Sequence, residues 1–219
     1  MLAVVTRLAS PPEAGADWDK PPWREIPAEP LRNHMGAKPD HFPGTAVKIA
    51  YDQRAVYVIF RVEDRYVRSV AARHQDSVCK DSCVEFFFTP GSDLSTGYFN
   101  LEMNCGGTLL FHFHPGGAKG GTEIPGSDCD RIAKVHSLPR IIDPEIREPV
   151  TWTVGYTLPI ALLSRYCPVS VPGPKVLWRA NFYKCADNTS HPHWLTWSPV
   201  DCPKPNFHLP ESFGTLKFA

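Results

Sequence analysis

Glu85 and Glu102 fall in two segments of alternating pattern, SCVEFFF (82–88) and YFNLEMN (98–104), and are the carboxylates best placed by sequence to do chemistry. Two carboxyl groups facing each other across a sugar can hydrolyse a glycosidic bond, one as acid and the other as nucleophile or base. The same groups can also hold a sugar by accepting hydrogen bonds from its hydroxyls, with no bond broken. His112 and His114 alternate onto one side of their segment, and His191 and His193 do so across Pro192. Either spacing could present two imidazoles to copper or zinc, but neither pair has an obvious third ligand nearby. The seven cysteines are an odd number, so at least one thiol stays free if the chain pairs only with itself. There is no C-x-x-C, and the Cys79/Cys83 spacing has no matching second pair. That pattern argues for small buried hydrophobes with room for one disulfide rather than a zinc site. Phosphate-cradling glycine loops, H-E-x-x-H and G-x-S-x-G are all absent, and GGAKGG (116–121) reads as a hairpin tip.

The elements that carry these residues are strands. In AVYVIFRVED (55–64), Val56, Val58, Phe60 and Val62 fall on one face and Tyr57, Ile59, Arg61 and Glu63 on the other, the pattern of a half-buried strand. Similar readings cover 46–51, 82–88, 98–104, 107–114, 131–138, 151–158, 176–185 and 213–218. The 23 prolines and 15 glycines are scattered as punctuation, which suits many short strands joined by turns. Only 159–166 reads as a helix, with Pro159 at its first turn. These features predict an all-β protein, an antiparallel β-sandwich of jelly-roll or immunoglobulin-like two-sheet type with one short helix. One domain over 1–219 is expected, with 1–17 as an N-terminal extension.

Strand parity puts Phe99, Leu101 and Met103 on one side of YFNLEMN and Tyr98, Asn100, Glu102 and Asn104 on the other. In SCVEFFF, Val84, Phe86 and Phe88 point inward and leave Glu85 outside with Phe87. A polar sheet face of Arg61, Glu85, Asn100, Glu102 and Asn104 could grip sugar hydroxyls; taken alone, the pattern fits an ordinary solvated face better.

Lys plus Arg and Asp plus Glu number 23 each, so no net field draws the chain to nucleic acid or to an anionic membrane, and a neutral partner is expected. No signal peptide or membrane-spanning run is legible, which makes the cytoplasm the default expectation and an extracellular location the alternative if the chain has been trimmed.

In order along the chain come Trp23, YDQRAVYVIFRVED, KDSCVEFFFTP, YFNLEMN, WRANFYKCADN, LTWSP and FHLPESFGTLKF. This series resembles the family 9 carbohydrate-binding modules and their DOMON-like relatives, from about Trp18 to the C-terminus. The resemblance implies a β-sandwich that holds the end of a sugar chain between two tryptophans, with a glutamate, an arginine and asparagines on its hydroxyls. By that resemblance the family glutamate falls on Glu85 and the later tryptophan on Phe207, with a loop asparagine near Lys204. The first tryptophan falls near Val78, the arginine on Asn100 and another asparagine on Glu102. Trp194, Phe207, His208 and His193 lie in the loops the family uses for binding, whereas Trp197 and Phe213 take positions that close the sandwich. Trp23 and Trp152 read as structural.

The implied activity is a non-catalytic carbohydrate-binding module, with a carbohydrate ligand and an unassigned cofactor for which calcium stands ahead of haem. A haem- or metal-binding DOMON-like domain, with Met103 as the methionine in question, is the first alternative. A glycan-active enzyme using Glu85 and Glu102 is the second.

Overall fold

The computed structural model describes residues 1–13, 15, 17–116 and 120–219. Strands β1 (Leu2–Arg7), β2 (Glu29–Pro30), β3 (Asn33–His34), β4 (Gly44–Tyr51), β5 (Ala55–Asp64) and β6 (Val67–Ser69) make up the first third of the chain. Strands β7 (Cys83–Thr89), β8 (Tyr98–Asn104), β9 (Leu109–His114), β10 (Thr122–Glu123), β11 (Ala133–His136) and β12 (Ile142–Ile146) follow. Strands β13 (Val150–Pro159), β14 (Leu177–Cys185), β15 (Trp194–Thr196) and β16 (Gly214–Phe218) complete it. All nine expected strands form, and a helix α2 (Ile160–Leu163) begins just after Pro159. A second short helix, α1 (Gly126–Cys129), was not expected, and the anticipated hairpin tip at 116–121 lies partly outside the described residues.

The strands make a large curled sheet in the order β10-β9-β8-β7-β14-β16-β1-β4-β5-β13-β11, with a small β12-β6 pair beside it. The curl folds one end over the other into a sandwich. Phe60 of β5 meets Phe182 of β14 edge to face at 6.0 Å between ring centres, across the core. The inner faces carry the residues that alternation assigned to them, Val56, Val58, Phe60, Val84, Phe86, Phe88, Phe99, Leu101 and Met103, all buried. Trp152, Trp178 and Trp197 are fully buried with them, and burial on this scale is what drives the sheet to close.

Two departures from the sequence reading have simple causes. The N-terminal stretch is not an extension outside the sandwich: β1 runs parallel to β16 through Leu2–Val5 and then parallel to β4 through Thr6 and Arg7, bridging the two halves. A chain terminus can slot between strands with no crossover connection, and Ala3 and Val5 bury their side chains there. Strand β5 is also buried on both faces. Its outer residues Tyr57 and Ile59 are covered by Trp18, Trp23 and Ile26, which form a separate apolar cluster that alternation in β5 could not reveal. Lys48 completes this cover by donating from Nζ to the carbonyls of Trp18 and Trp23. No helix among the described residues is long and apolar enough to cross a membrane.

Candidate functional site

Parity and register bring the two glutamates together. Because Val84, Phe86 and Phe88 face the core, Glu85 must face outward, and Glu102 does the same between Leu101 and Met103. The β7–β8 pairing then sets Glu85 directly opposite Glu102, with Tyr183 of β14 opposite Glu85 on its other side. The register is anchored at the Cys83/Asn104 end of the pair. Asp81, wholly buried, accepts hydrogen bonds from the amides of Val70 and Ala71 and from Asn104 Nδ2. The β8–β9 turn closes through Gly107, whose φ of +85° suits glycine, and its amide donates to the Asn104 carbonyl.

This outer face is not open to solvent. Residues around Met35, Ala71, Val200, Phe207 and Phe213 pack over Phe87, Tyr183, Cys83 and Cys185 as a second apolar layer. Phe207 stacks on Tyr183 with ring centres 4.1 Å apart and 11° between planes, and the Tyr183 hydroxyl donates to the Phe207 carbonyl. The proline-rich loop before β16 is therefore pinned down by its own aromatic residue. Between loop and sheet it leaves a cavity of about 200 Å³ lined by Glu85, Phe87, Glu102, Cys79, Cys185, Asp187, Trp194, Pro205, Asn206, Phe207 and His208.

Inside the cavity the carboxylates are only half satisfied. Glu85 Oε1 accepts from the Cys185 thiol at 3.1 Å, and Glu102 Oε1 accepts from Asn100 Nδ2 at 2.9 Å. Oε2 of each is buried with no hydrogen-bond partner. Burial and mutual repulsion push the Glu85 carboxyl well above the usual range; burial does the same for Glu102, with Asp187 adding to it. Asp187 lies at the edge, accepts from Trp194 Nε1 at 2.8 Å, and is likewise raised by its burial. Cys79 is pushed up to about 12 by burial, with help from Glu102 and Glu85.

The rim continues into a ring cluster. Tyr98 stacks on His114 with centres 4.5 Å apart, its hydroxyl lies 2.9 Å from His208 Nδ1, and His114 Nε2 lies 2.8 Å from Asn100 Oδ1. Burial, reinforced by His208 and His112, pulls the His114 imidazole down to about 4. Neither histidine pair assembles a metal set among the described residues. His114 is engaged by Asn100, while His193 is buried against Lys184 Nζ at 2.8 Å and His191 stacks on Tyr66. The donor set that does converge is Cys83, Glu85 and Cys185, within 4.8 Å of one another.

Of the residues singled out by sequence, Glu85, Glu102, Trp194, Phe207 and His208 line the cavity, and Asn100 supports it through Glu102. Arg61 does not join them. It stands on β5 in the other half of the sandwich and pairs with Glu63 at 3.3 Å. Asn104 is buried in the turn, bonded to Asp81, Ala71 and Thr108. Val78 is buried in the second apolar layer, and Lys204 is exposed outside the lining. Asp187, Cys185 and Phe87 were not proposed from sequence. Parity along β14 carries the signal for two of them, since Tyr183, Cys185 and Asp187 alternate onto the side of Glu85.

A basin of about 660 Å³ around Arg7 and Arg54 holds Asp52, whose oxygens already accept from Arg54, Ala55 and Tyr57.

With this geometry in view, the known proteins it matches can be set beside it. The sequence matches the model of carbohydrate-binding family 9 over residues 25–218, nearly the whole chain. The chain belongs to carbohydrate-binding family 9. A Bacteroides uniformis protein, whose name assigns it carbohydrate binding without naming a sugar, shares 27% identity at a TM-score of 0.86, covering 100% of this chain and 99% of that one. Two structures of a family 9 module from Caldicellulosiruptor kristjanssonii, in complex with glucose and with cellotriose, superpose at a TM-score of 0.68 for both, with 13% and 12% identity. They cover 100% of this chain and 96% and 93% of theirs, and at that identity they speak for the fold alone. No curated protein matches the chain.

Proposed function

We propose that this family 9 chain is a non-catalytic binding unit that receives one end of a glycan, or a free sugar, in the cavity above Glu85 and Glu102. The observation that carries this reading is the pair of buried carboxylate oxygens, each without a partner, beneath aromatic walls. Buried acceptors left unmade cost free energy that hydroxyl donors can recover, and the apolar C–H face of a sugar ring covers aromatic surface. Trp194 and Phe207 supply that surface, His208 closes the side, and a cavity of about 200 Å³ suits a single ring. The sugars bound by the family 9 module of C. kristjanssonii support the same ligand class.

Glu85 and Glu102 rise from one face of one sheet and could act in hydrolysis only by flanking a scissile bond laid between them. Met103, the residue of the haem alternative, is fully buried among core side chains. Isothermal titration with glucose and cellotriose tests the reading. Saturable heat that is lost in Glu85→Gln, with no reducing ends released on long incubation, is the expected result; turnover of cellotriose would contradict it.

A further inference from the structure

The neutral sum of charges over the chain conceals a one-sided site. Three carboxylates, Glu85, Glu102 and Asp187, line the cavity, and no lysine or arginine does. Glu85 is 2% exposed and Glu102 6%, both line the cavity, and each keeps a buried Oε2 with no hydrogen-bond partner. The nearest lysine along β14 is no remedy. Lys184 follows Tyr183 with opposite parity, so its Nζ lies on the far side of the sheet, 3.6 Å from Asp64 and 2.8 Å from His193. Lys80 is exposed and outside the lining, although its charge lowers the Asp187 carboxyl against the rise caused by burial.

A neutral ligand leaves this arrangement unfinished. A hydroxyl offers one donor and no charge, so two carboxylates directly opposite each other would remain mutually repulsive or have to take up a proton. An ammonium group offers three donors and a full positive charge, and hydrogen bonds between charged partners are stronger than neutral ones. Aromatic side chains around the pair, Phe87, Trp194 and Phe207, favour a cation as well.

We propose that the preferred ligand is a sugar bearing a free amine, with its ammonium held between Glu85 Oε2 and Glu102 Oε2 and its ring against Trp194. This assignment rests on the sugar-binding reading above and narrows it to a chemical class. Asp187, at the edge and tied to the Trp194 indole, strengthens the negative field that draws the amine in.

The test is calorimetric titration at low ionic strength and neutral pH with two matched series. One is cellotriose, its fully amino counterpart and its fully N-acetylated counterpart; the other is galactose, galactosamine and N-acetylgalactosamine. Acetylation keeps the nitrogen and removes the charge. The free amine should bind about tenfold tighter than both relatives in at least one series. Glu102→Gln should bring that ratio close to one, and Asp187→Asn, at a half-exposed position where folding is less at risk, should lower it. Tight binding of the neutral or acetylated sugars with no gain from the amine in either series would overturn the inference and leave the sugar-binding reading standing. Absence of binding throughout both series would overturn the two together.

Discussion

Glu85 and Glu102 stand directly opposite each other on neighbouring strands, both almost wholly buried, and each keeps one carboxylate oxygen without a hydrogen-bond partner. Like charges so placed destabilise a sheet, whereas the buried carboxylates Asp64, Asp81 and Asp128 each have a cationic partner. That local cost is the reason the cavity above them is the proposed ligand site.

The first consequence concerns pH. Both carboxyls are raised in the folded state, so from the ordinary glutamate value upward the folded protein holds protons that the unfolded chain has released. Stability is therefore unaffected below that value and declines as pH rises through the folded-state values. Urea melts of the ligand-free protein at pH 5 and pH 8 should show this decline, and Glu85→Gln should shrink it by about 1 kcal/mol or more. An equal decline in the variant would show that the pair is not its source.

Aromatic contact should be separable from the charge. Trp194 is half-buried at the cavity edge, so Trp194→Ala should weaken sugar binding by about tenfold or more while altering the melting temperature little. Phe207→Ala should cost binding and also about 3 kcal/mol of stability, because Phe207 stacks on Tyr183. Thermal melts alongside titrations separate the two effects.

On the other side of β14, Lys184 is wholly buried and paired with Asp64, which also accepts from Trp152 Nε1 and lies 2.8 Å from His41 Nε2. Burial alone would raise the Asp64 carboxyl; Lys184, His41 and the Arg65 amide outweigh it and hold it well below the usual range. Asp64→Ala should cost about 3–5 kcal/mol by stranding the lysine, and the double change Asp64→Ala/Lys184→Met should cost less than Asp64→Ala alone. Denaturant melts of the three proteins check this.

His193 belongs to the same network. Burial, with Lys184 beside it, pulls its imidazole down to about 3, so between about 6.5 and 3 the unfolded chain binds a proton that the folded protein refuses. Stability conferred by this group is complete above about 6.5 and is lost as pH falls towards about 3. His193→Gln should flatten the acid limb of a stability-versus-pH curve; an unchanged limb would assign it to other groups.

Arg61 provides a control. It projects from the opposite half of the sandwich, and Arg61→Ala should leave sugar affinity within about twofold of the parent.

Much of this architecture was legible in the sequence because alternation is a direct record of which side of a strand is buried. Val84, Phe86 and Phe88 announced the core face of β7, and Glu85 followed by parity; the same argument gave Glu102. What parity cannot supply is which strands lie together and what lies on top of them. Arg61 has the right alternation, yet topology puts β5 across the core from β7. Asn104 has the right parity as well, but it sits where the strand turns, and the buried carboxylate of Asp81 takes it. The loop carrying Phe207 has no periodicity at all. Its descent onto Tyr183 is a long-range packing event, while Asp187 meets the Trp194 indole across the connection between β14 and β15, where no alternation marks it.

The most direct test of the central claim is a nuclear magnetic resonance titration of labelled protein with cellotriose and its amino counterpart, following the Trp194 indole N–H. Shifts at Trp194, Asn206 and His208 that saturate with ligand, and vanish in Glu85→Gln, are the result this account predicts. Saturating shifts confined to the Arg61 side of the sandwich, or none at all with either sugar, would contradict it.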